Sequence, residues 1–162
     1  MKGIDIVIEK QRLMFVNYLW TGNNCSWYGR CQINYHNDKA VPEVLNAGTN
    51  NYTEVLFDDT KDAISFFDVL PDRTEDLATV DIYFAVKLSK LYPSVTERAS
   101  EWVLSDVIKR LHQGGLFIPD KTKSITDGYE AWKQWSMVKK EDNMQPFYLF
   151  KIKTNVQYVL TC

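Results

Sequence analysis

The sequence predicts one α+β domain over residues 1–162, in which an antiparallel β-sheet is flanked by two main α-helices. A length of 162 residues is typical of a single domain. Two segments repeat apolar residues at helical spacing, whereas several others alternate apolar and polar residues as strands do. Hydrophobic residues make up 45% of the chain and charged residues 25%, as in ordinary globular proteins. No repeat or linker divides the chain.

The first predicted helix covers residues 4–20, which contain neither proline nor glycine. Ile6, Leu13 and Trp20 follow one another at seven-residue intervals, nearly opposite the apolar face that we expect in the core. A helix packed on one side needs only one apolar face. We therefore expect this second stripe either to lie beneath a loop or to contact another subunit. The expected core face consists of Ile4, Val7, Ile8, Met14, Phe15, Tyr18 and Leu19.

Several strands are predicted in the first half of the chain. Residues 26–36 read as a strand region interrupted at Gly29, and residues 54–57 read as a short strand. Residues 37–53 contain Pro42, Gly48 and five Asn or Asp residues, which predicts a loop. Residues 63–70 are apolar on both sides of the alternation, so we expect a central strand there.

The clearest alternation runs over residues 80–88 and predicts a strand with one buried face and one partly wet face. A second helix is predicted between a capping box at residues 94–97 and the glycine pair at 114–115. Trp102 falls on its polar face, which makes it a second candidate interface residue beside the stripe on the first helix. Its expected core face consists of Ala99, Val103, Leu104, Val107, Ile108 and Leu111.

Residues 115–162 are predicted to form a C-terminal β extension. Residues 116–118 read as a strand, 121–128 as a loop, and 129–138 as a strand rather than a helix. A long strand is predicted over residues 147–160. Because it exceeds the usual strand length, we expect it to bend near Thr154 and Asn155.

The chain contains none of the common catalytic or nucleotide-binding motifs. Its two histidines, His36 and His112, are too few for most metal or acid–base sites. The acidic turns are the best candidates for metal-dependent catalysis, but a positioned basic partner is lacking, so we expect solvated turns. We predict no enzymatic activity, no cofactor and no metal. These acidic residues are Asp58, Asp59, Asp62 and Asp68, with a further turn at Asp72–Asp76.

Charge and cysteine content limit the partners and the compartment. A net charge of −2 favours neither a nucleic acid nor an anionic membrane. Cys25, Cys31 and Cys162 are odd in number and sparse, which predicts ordinary thiols in a reducing compartment. No apolar run has the length of a signal peptide or a membrane span. We therefore expect a cytoplasmic protein.

One segment resembles a known family. A predicted helix and predicted strands come first, and they are followed by the segment VDIYFAVKLSKLYPSVTERASEWVLSDVIKRL at residues 80–111. Over residues 1–113, this arrangement is similar to the tail-terminator (tail-completion) proteins of long-tailed bacteriophages and prophages. The resemblance implies a virion assembly protein without catalytic activity. It implies a ring, commonly hexameric, that closes the tail tube, contacts the head connector and assembles in the cytoplasm of the bacterial host.

Two other functions remain open. A small cytoplasmic module that binds a protein or a ligand is the main alternative, and a metal-dependent phosphodiesterase that uses the acidic turns is the more distant one.

Overall fold

The computed structural model describes residues 3–45, 51–55, 58–74, 76–120, 124–135 and 147–158. The described residues form a single α+β fold, which confirms the predicted fold class. The helices are α1 (Ile4–Tyr18), α2 (Leu88–Leu91), α3 (Ala99–Gly114) and α4 (Tyr129–Trp132). The strands are β1 (Cys25–His36), β2 (Lys39–Leu45), β3 (Tyr52–Glu54), β4 (Ala63–Val69), β5 (Leu77–Val86), β6 (Phe117–Pro119), β7 (Ile125–Asp127) and β8 (Tyr148–Gln157).

The eight strands form one mixed sheet in the order β3-β2-β1-β4-β5-β8-β6, with β7 also paired to β8. Every pairing of the described strands is antiparallel except that of β1 with β4. The sheet therefore departs from the predicted antiparallel arrangement at this one pairing. A parallel pair requires a long connection, and here β2 and β3 lie within that connection, on the other side of β1.

Strand β1 changes partner along its length. Cys25 to Arg30 pair with β4, and Cys31 to His36 pair with β2. The register with β4 shifts between Trp27 and Arg30, around the predicted interruption at Gly29. We call the second half of β1 together with β2, residues 31–45, the β-arm.

The prediction of a loop over residues 37–53 is wrong, because β2 lies within it and β3 begins at Tyr52. Asn37 and Asp38 have φ angles of 52° and 63°, which lets a two-residue turn join β1 to β2. The sequence did not reveal β2 because Pro42 and the flanking turn-forming residues hide its alternation. Residues 46–50, and residues 56 and 57 of the predicted strand 54–57, lie outside the described residues.

Both faces of the central sheet are covered. Helices α1 and α3 pack on one face, against side chains such as Phe67, Phe84 and Phe150. On the other face, Trp132 and Trp135 pack against Phe66 and Tyr83. The predicted wet face of residues 80–88 is therefore wrong, because this second aromatic layer covers it.

The two main helices are present, with corrected ends. Helix α1 ends at Tyr18, and the prediction of Tyr18 as a core residue is wrong, because its side chain is exposed. Gln11 takes a fully buried place instead. Helix α3 begins after Arg98, whose φ of 57° is left-handed, so the predicted capping box at residues 94–97 does not cap it. On α3, Val103, Val107 and Leu111 are buried as predicted.

The C-terminal part forms strands and a short helix. The strand predicted at residues 129–138 is wrong where the structure describes it, because Tyr129 to Trp132 are helical; residues 136–138 lie outside the described residues. Strand β8 pairs with β5 in unbroken register through Thr154 and Asn155, so no register shift marks the predicted bend. None of the described helices has the length and apolar character needed to cross a membrane.

Candidate functional site

Trp20, a predicted interface residue, is engaged within its own chain. It lies beyond the end of α1 with a φ of 50°, so it does not continue the helical stripe. Its ring stacks on Trp27 at 5.7 Å between centroids, and its Nε1 donates a hydrogen bond to the Tyr92 hydroxyl at 2.8 Å. Tyr92 in turn donates to the Asp106 carboxylate. Trp20 therefore fastens the end of α1 to the segment before α3.

The rest of the stripe on α1 is partly open to solvent. Leu13 is 44% exposed and Val16 is 39% exposed, on the side of α1 away from the sheet. Ile6 is half-buried. These three apolar side chains form what we call the α1 surface.

Trp102 is the most exposed candidate. Its side chain is 56% exposed on α3, and its ring lies 6.4 Å from that of Tyr92. The helical prediction that placed it on the polar face is confirmed. The α1 surface and Trp102 thus lie on the two helices that cover the same face of the sheet.

The β-arm is exposed over much of its length. Every residue from Gln32 to Lys39 is exposed, although successive side chains of a strand point to opposite faces. Ile33 is 44% exposed and Tyr35 is 68% exposed. The end of the β-arm therefore lies outside the apolar layers on both faces of the sheet and exposes apolar side chains to solvent.

A buried carboxylate pair lies on the sheet face covered by Trp132 and Trp135. Asp68 of β4 stands directly opposite Asp81 of β5, and each residue is only 4% exposed. The Lys151 Nζ lies 3.5 Å from the Asp81 Oδ2. The Asp81 Oδ1 has no hydrogen-bond partner among the described residues. Two carboxyl groups thus lie beside one ammonium group in a site that is almost closed to solvent.

This environment changes the acidity of Asp68. Burial raises the pKa of Asp68 to about 6, and the neighbouring charge of Asp81 acts in the same direction. A hydrogen bond from Gln134 and the positive charges of Lys151 and Arg30 act in the opposite direction. Gln134 also donates from Nε2 to the Tyr83 hydroxyl at 2.7 Å. Asp68 therefore keeps its proton to a higher pH than an ordinary aspartate does.

The acidic residues singled out in the sequence do not converge. Asp58, Asp59 and Asp62 precede β4, whereas Asp68 lies about 20 Å further along that strand. Asp62 accepts hydrogen bonds from the side chain of Asn23 and the backbone of Asn24. The turn before β4 is therefore a structural connection to the turn after α1. Sequence reasoning missed Asp81, which is the true neighbour of Asp68. The available signal was a charged residue inside each of two otherwise apolar strand patterns.

A second group of ionisable side chains lies on β1, β2 and β3. Glu43 stands opposite Glu54, and the His36 Nε2 lies 3.5 Å from the Glu43 Oε1 and 3.9 Å from the Glu54 Oε1. Sequence reasoning missed this group because it placed Glu43 in a loop. His112, the other histidine, is exposed in the last turn of α3.

The two described cysteines are free thiols. Cys31 is buried and Cys25 is half-buried. Burial raises the pKa of the Cys25 thiol to about 12 and raises that of Cys31 as well. Both thiols therefore favour the protonated form at neutral pH. Cys162 lies outside the described residues.

Comparison with known proteins gives no relative for this chain. No family model matches it, and neither a curated protein nor a solved structure matches it.

Proposed function

We propose that this protein is a structural assembly protein that forms a ring of identical subunits, as the phage tail-terminator proteins that it resembles do. The observation that carries the proposal is the exposure of large apolar side chains on both main helices, namely Leu13 and Val16 on α1 and Trp102 on α3. In this role the protein catalyses no reaction and needs no cofactor. It assembles in the bacterial cytoplasm and becomes part of the virion.

Burial of the exposed apolar side chains would stabilise the assembly. Fully burying a large apolar side chain contributes about 1.5–3 kcal/mol relative to leaving it in water. Tryptophan is also enriched among the residues that dominate the energy of protein interfaces. A contact between copies would remove Leu13, Val16 and Trp102 from water together, which supports association over an isolated monomer.

The two surfaces differ from each other, and this favours a ring. When one surface of a subunit binds a different surface of the next, the contact is heterologous and closes into a ring if the rotation allows. In the proposal the α1 surface of one copy contacts Trp102 of its neighbour. The exposed Ile33 and Tyr35 of the β-arm remain available for the tail tube or the head connector.

Light scattering after size-exclusion chromatography at high protein concentration tests the proposal. The wild type is expected to show species larger than a dimer, and Leu13→Glu and Trp102→Ala are expected to be monomers with native circular dichroism. Matched controls are Thr96→Glu, which adds a charge at an exposed position, and Glu101→Ala, which trims an exposed polar side chain of α3. Both controls should assemble like the wild type.

Two results would contradict the proposal. One is a monomeric wild type at every concentration. The other is unfolding of both Leu13→Glu and Trp102→Ala, since that would place these side chains in the core of the monomer.

A binding module is the second candidate, and the buried carboxylate pair is the observation that favours it. Charged groups are costly to bury, and the Asp81 Oδ1 lacks a partner among the described residues. A cationic ligand of this site should raise the melting temperature of the wild type but not of Asp81→Asn. No such response to a set of amines and guanidines would leave this candidate without support.

A further inference from the structure

His36, Glu43 and Glu54 come together on one face of three neighbouring strands. Glu43 of β2 pairs with Gln32 of β1 and with Glu54 of β3, so these three positions share a face. His36 follows Gln32 by four residues on β1 and therefore points to the same face. The short β1–β2 turn fixes the register that brings the histidine to the two carboxylates.

We infer that these three side chains bind a divalent transition-metal ion, with Zn²⁺ as the preferred metal. Nothing in the assembly proposal requires this site, and its test is independent of the oligomeric state. The sequence alone predicted no metal site.

The spacing of the ligand atoms suits a zinc ion. The His36 Nε2 lies 3.5 Å and 3.9 Å from the two carboxylate oxygens, and the three atoms all lie within 4.8 Å of one another. A tetrahedral zinc ion with bonds of about 2.1 Å separates its ligand atoms by about 3.4 Å. Small side-chain rotations would therefore bring all three atoms into bonding distance.

The chemistry of the donors favours zinc over calcium or magnesium. One imidazole nitrogen with two carboxylate oxygens resembles the three-ligand sets that hold zinc with an open fourth position. Calcium and magnesium prefer oxygen ligands alone. His36 is 53% exposed and the Glu54 side chain 49%, which leaves room for a water molecule as the fourth ligand.

The negative charges of Glu43 on β2 and Glu54 on β3 also favour the binding of a cation. Like charges directly opposite each other on neighbouring strands are destabilising, and Glu43 and Glu54 occupy such positions. The Asn34 Nδ2 donates a hydrogen bond to the Glu43 Oε1 at 2.9 Å and so orients that carboxylate. A bound metal ion would neutralise the pair and connect β3, an exposed strand of three residues, to β1.

Histidine NMR tests the inference directly, because the chain has only two histidines. ZnCl₂ is titrated into the full-length ¹⁵N-labelled protein at pH 7.5 with a phosphine reductant. The ring signals of His36 should shift and saturate at one equivalent, while those of His112 stay unchanged.

Variants separate a built site from adventitious binding. Glu54→Gln should weaken zinc binding at least about tenfold, whereas Glu101→Gln and Cys162→Ser should bind as the wild type does. An equal response of both histidines, no response of His36, or unchanged affinity in Glu54→Gln would overturn the inference. Glu54 is exposed at the sheet edge, so its variant is expected to fold.

Discussion

Replacing Asp68 by asparagine should make the folded protein more stable near neutral pH. Burial and the charge of Asp81 raise the pKa of Asp68 to about 6, whereas an ordinary aspartate has a pKa of 3.8. The folded state therefore keeps a proton that the unfolded chain has released, and ionising Asp68 costs the folded state free energy. As the pH rises from about 4 to about 6, the free energy of unfolding should fall.

The magnitude follows from the size of the shift. Each pKa unit corresponds to about 1.36 kcal/mol, so a shift of about two units lowers the stability at pH 7–8 by about 2–3 kcal/mol. Asparagine has no proton to lose, and it leaves the Asp81–Lys151 ion pair in place. We expect Asp68→Asn to raise the melting temperature by about 5–10 °C at pH 7.5 for a chain of this size.

Urea unfolding of the wild type and of Asp68→Asn from pH 3.5 to pH 8 measures this gain in stability. The difference in unfolding free energy should be near zero at pH 3.5 and should grow until about pH 6. Asp72→Asn, which removes an exposed carboxylate from the turn before β5, is the matched control and should run parallel to the wild type. If the stability of Asp68→Asn instead changed with pH as that of the wild type does, the raised pKa of Asp68 would be wrong. Asp81→Asn should gain less stability, because it leaves Lys151 without its partner.

Three further outcomes are expected. Gln11→Met should raise the free energy of unfolding, measured in urea, by about 1–2 kcal/mol. Both polar atoms of the Gln11 side chain are buried without a hydrogen-bond partner among the described residues. A loss of stability would reveal an overlooked partner. Trp20→Phe should lower the free energy of unfolding by about 1 kcal/mol, because the hydrogen bond to Tyr92 is lost. The mass measured by light scattering should stay unchanged. A lower mass would show that Trp20 contributes to the subunit interface. Melting temperatures with and without reductant should agree, because Cys25 and Cys31 are free thiols; a drop of more than about 5 °C on reduction would indicate a disulfide.

Long periodic segments were predictable from the sequence. Helices α1 and α3 and strands β4, β5 and β8 all match patterns in which the apolar positions repeat over many residues. The ends were less predictable. The seven-residue spacing of Ile6, Leu13 and Trp20 continued past the last turn of α1, where the backbone had already left the helix.

Pairing across the sheet was not predictable, because it depends on residues far apart in the chain. Nothing in the local pattern of β1 shows that its first half runs parallel to β4. Because pairing was not predictable, neither the Asp68–Asp81 pair nor the group of His36, Glu43 and Glu54 could be recognised from the sequence. Asp68 was noticed but assigned to the wrong acidic neighbours, since its opposition to Asp81 depends on the β4–β5 register. His36 and Glu43 could be connected only once residues 39–45 were known to form a strand.

Sedimentation velocity of the wild-type protein over a wide range of concentrations distinguishes a ring-forming protein from a monomer. The sedimentation coefficient should rise with concentration to that of a species larger than a dimer, because the α1 surface and Trp102 become buried between neighbouring copies. A single monomeric boundary at every concentration would contradict it.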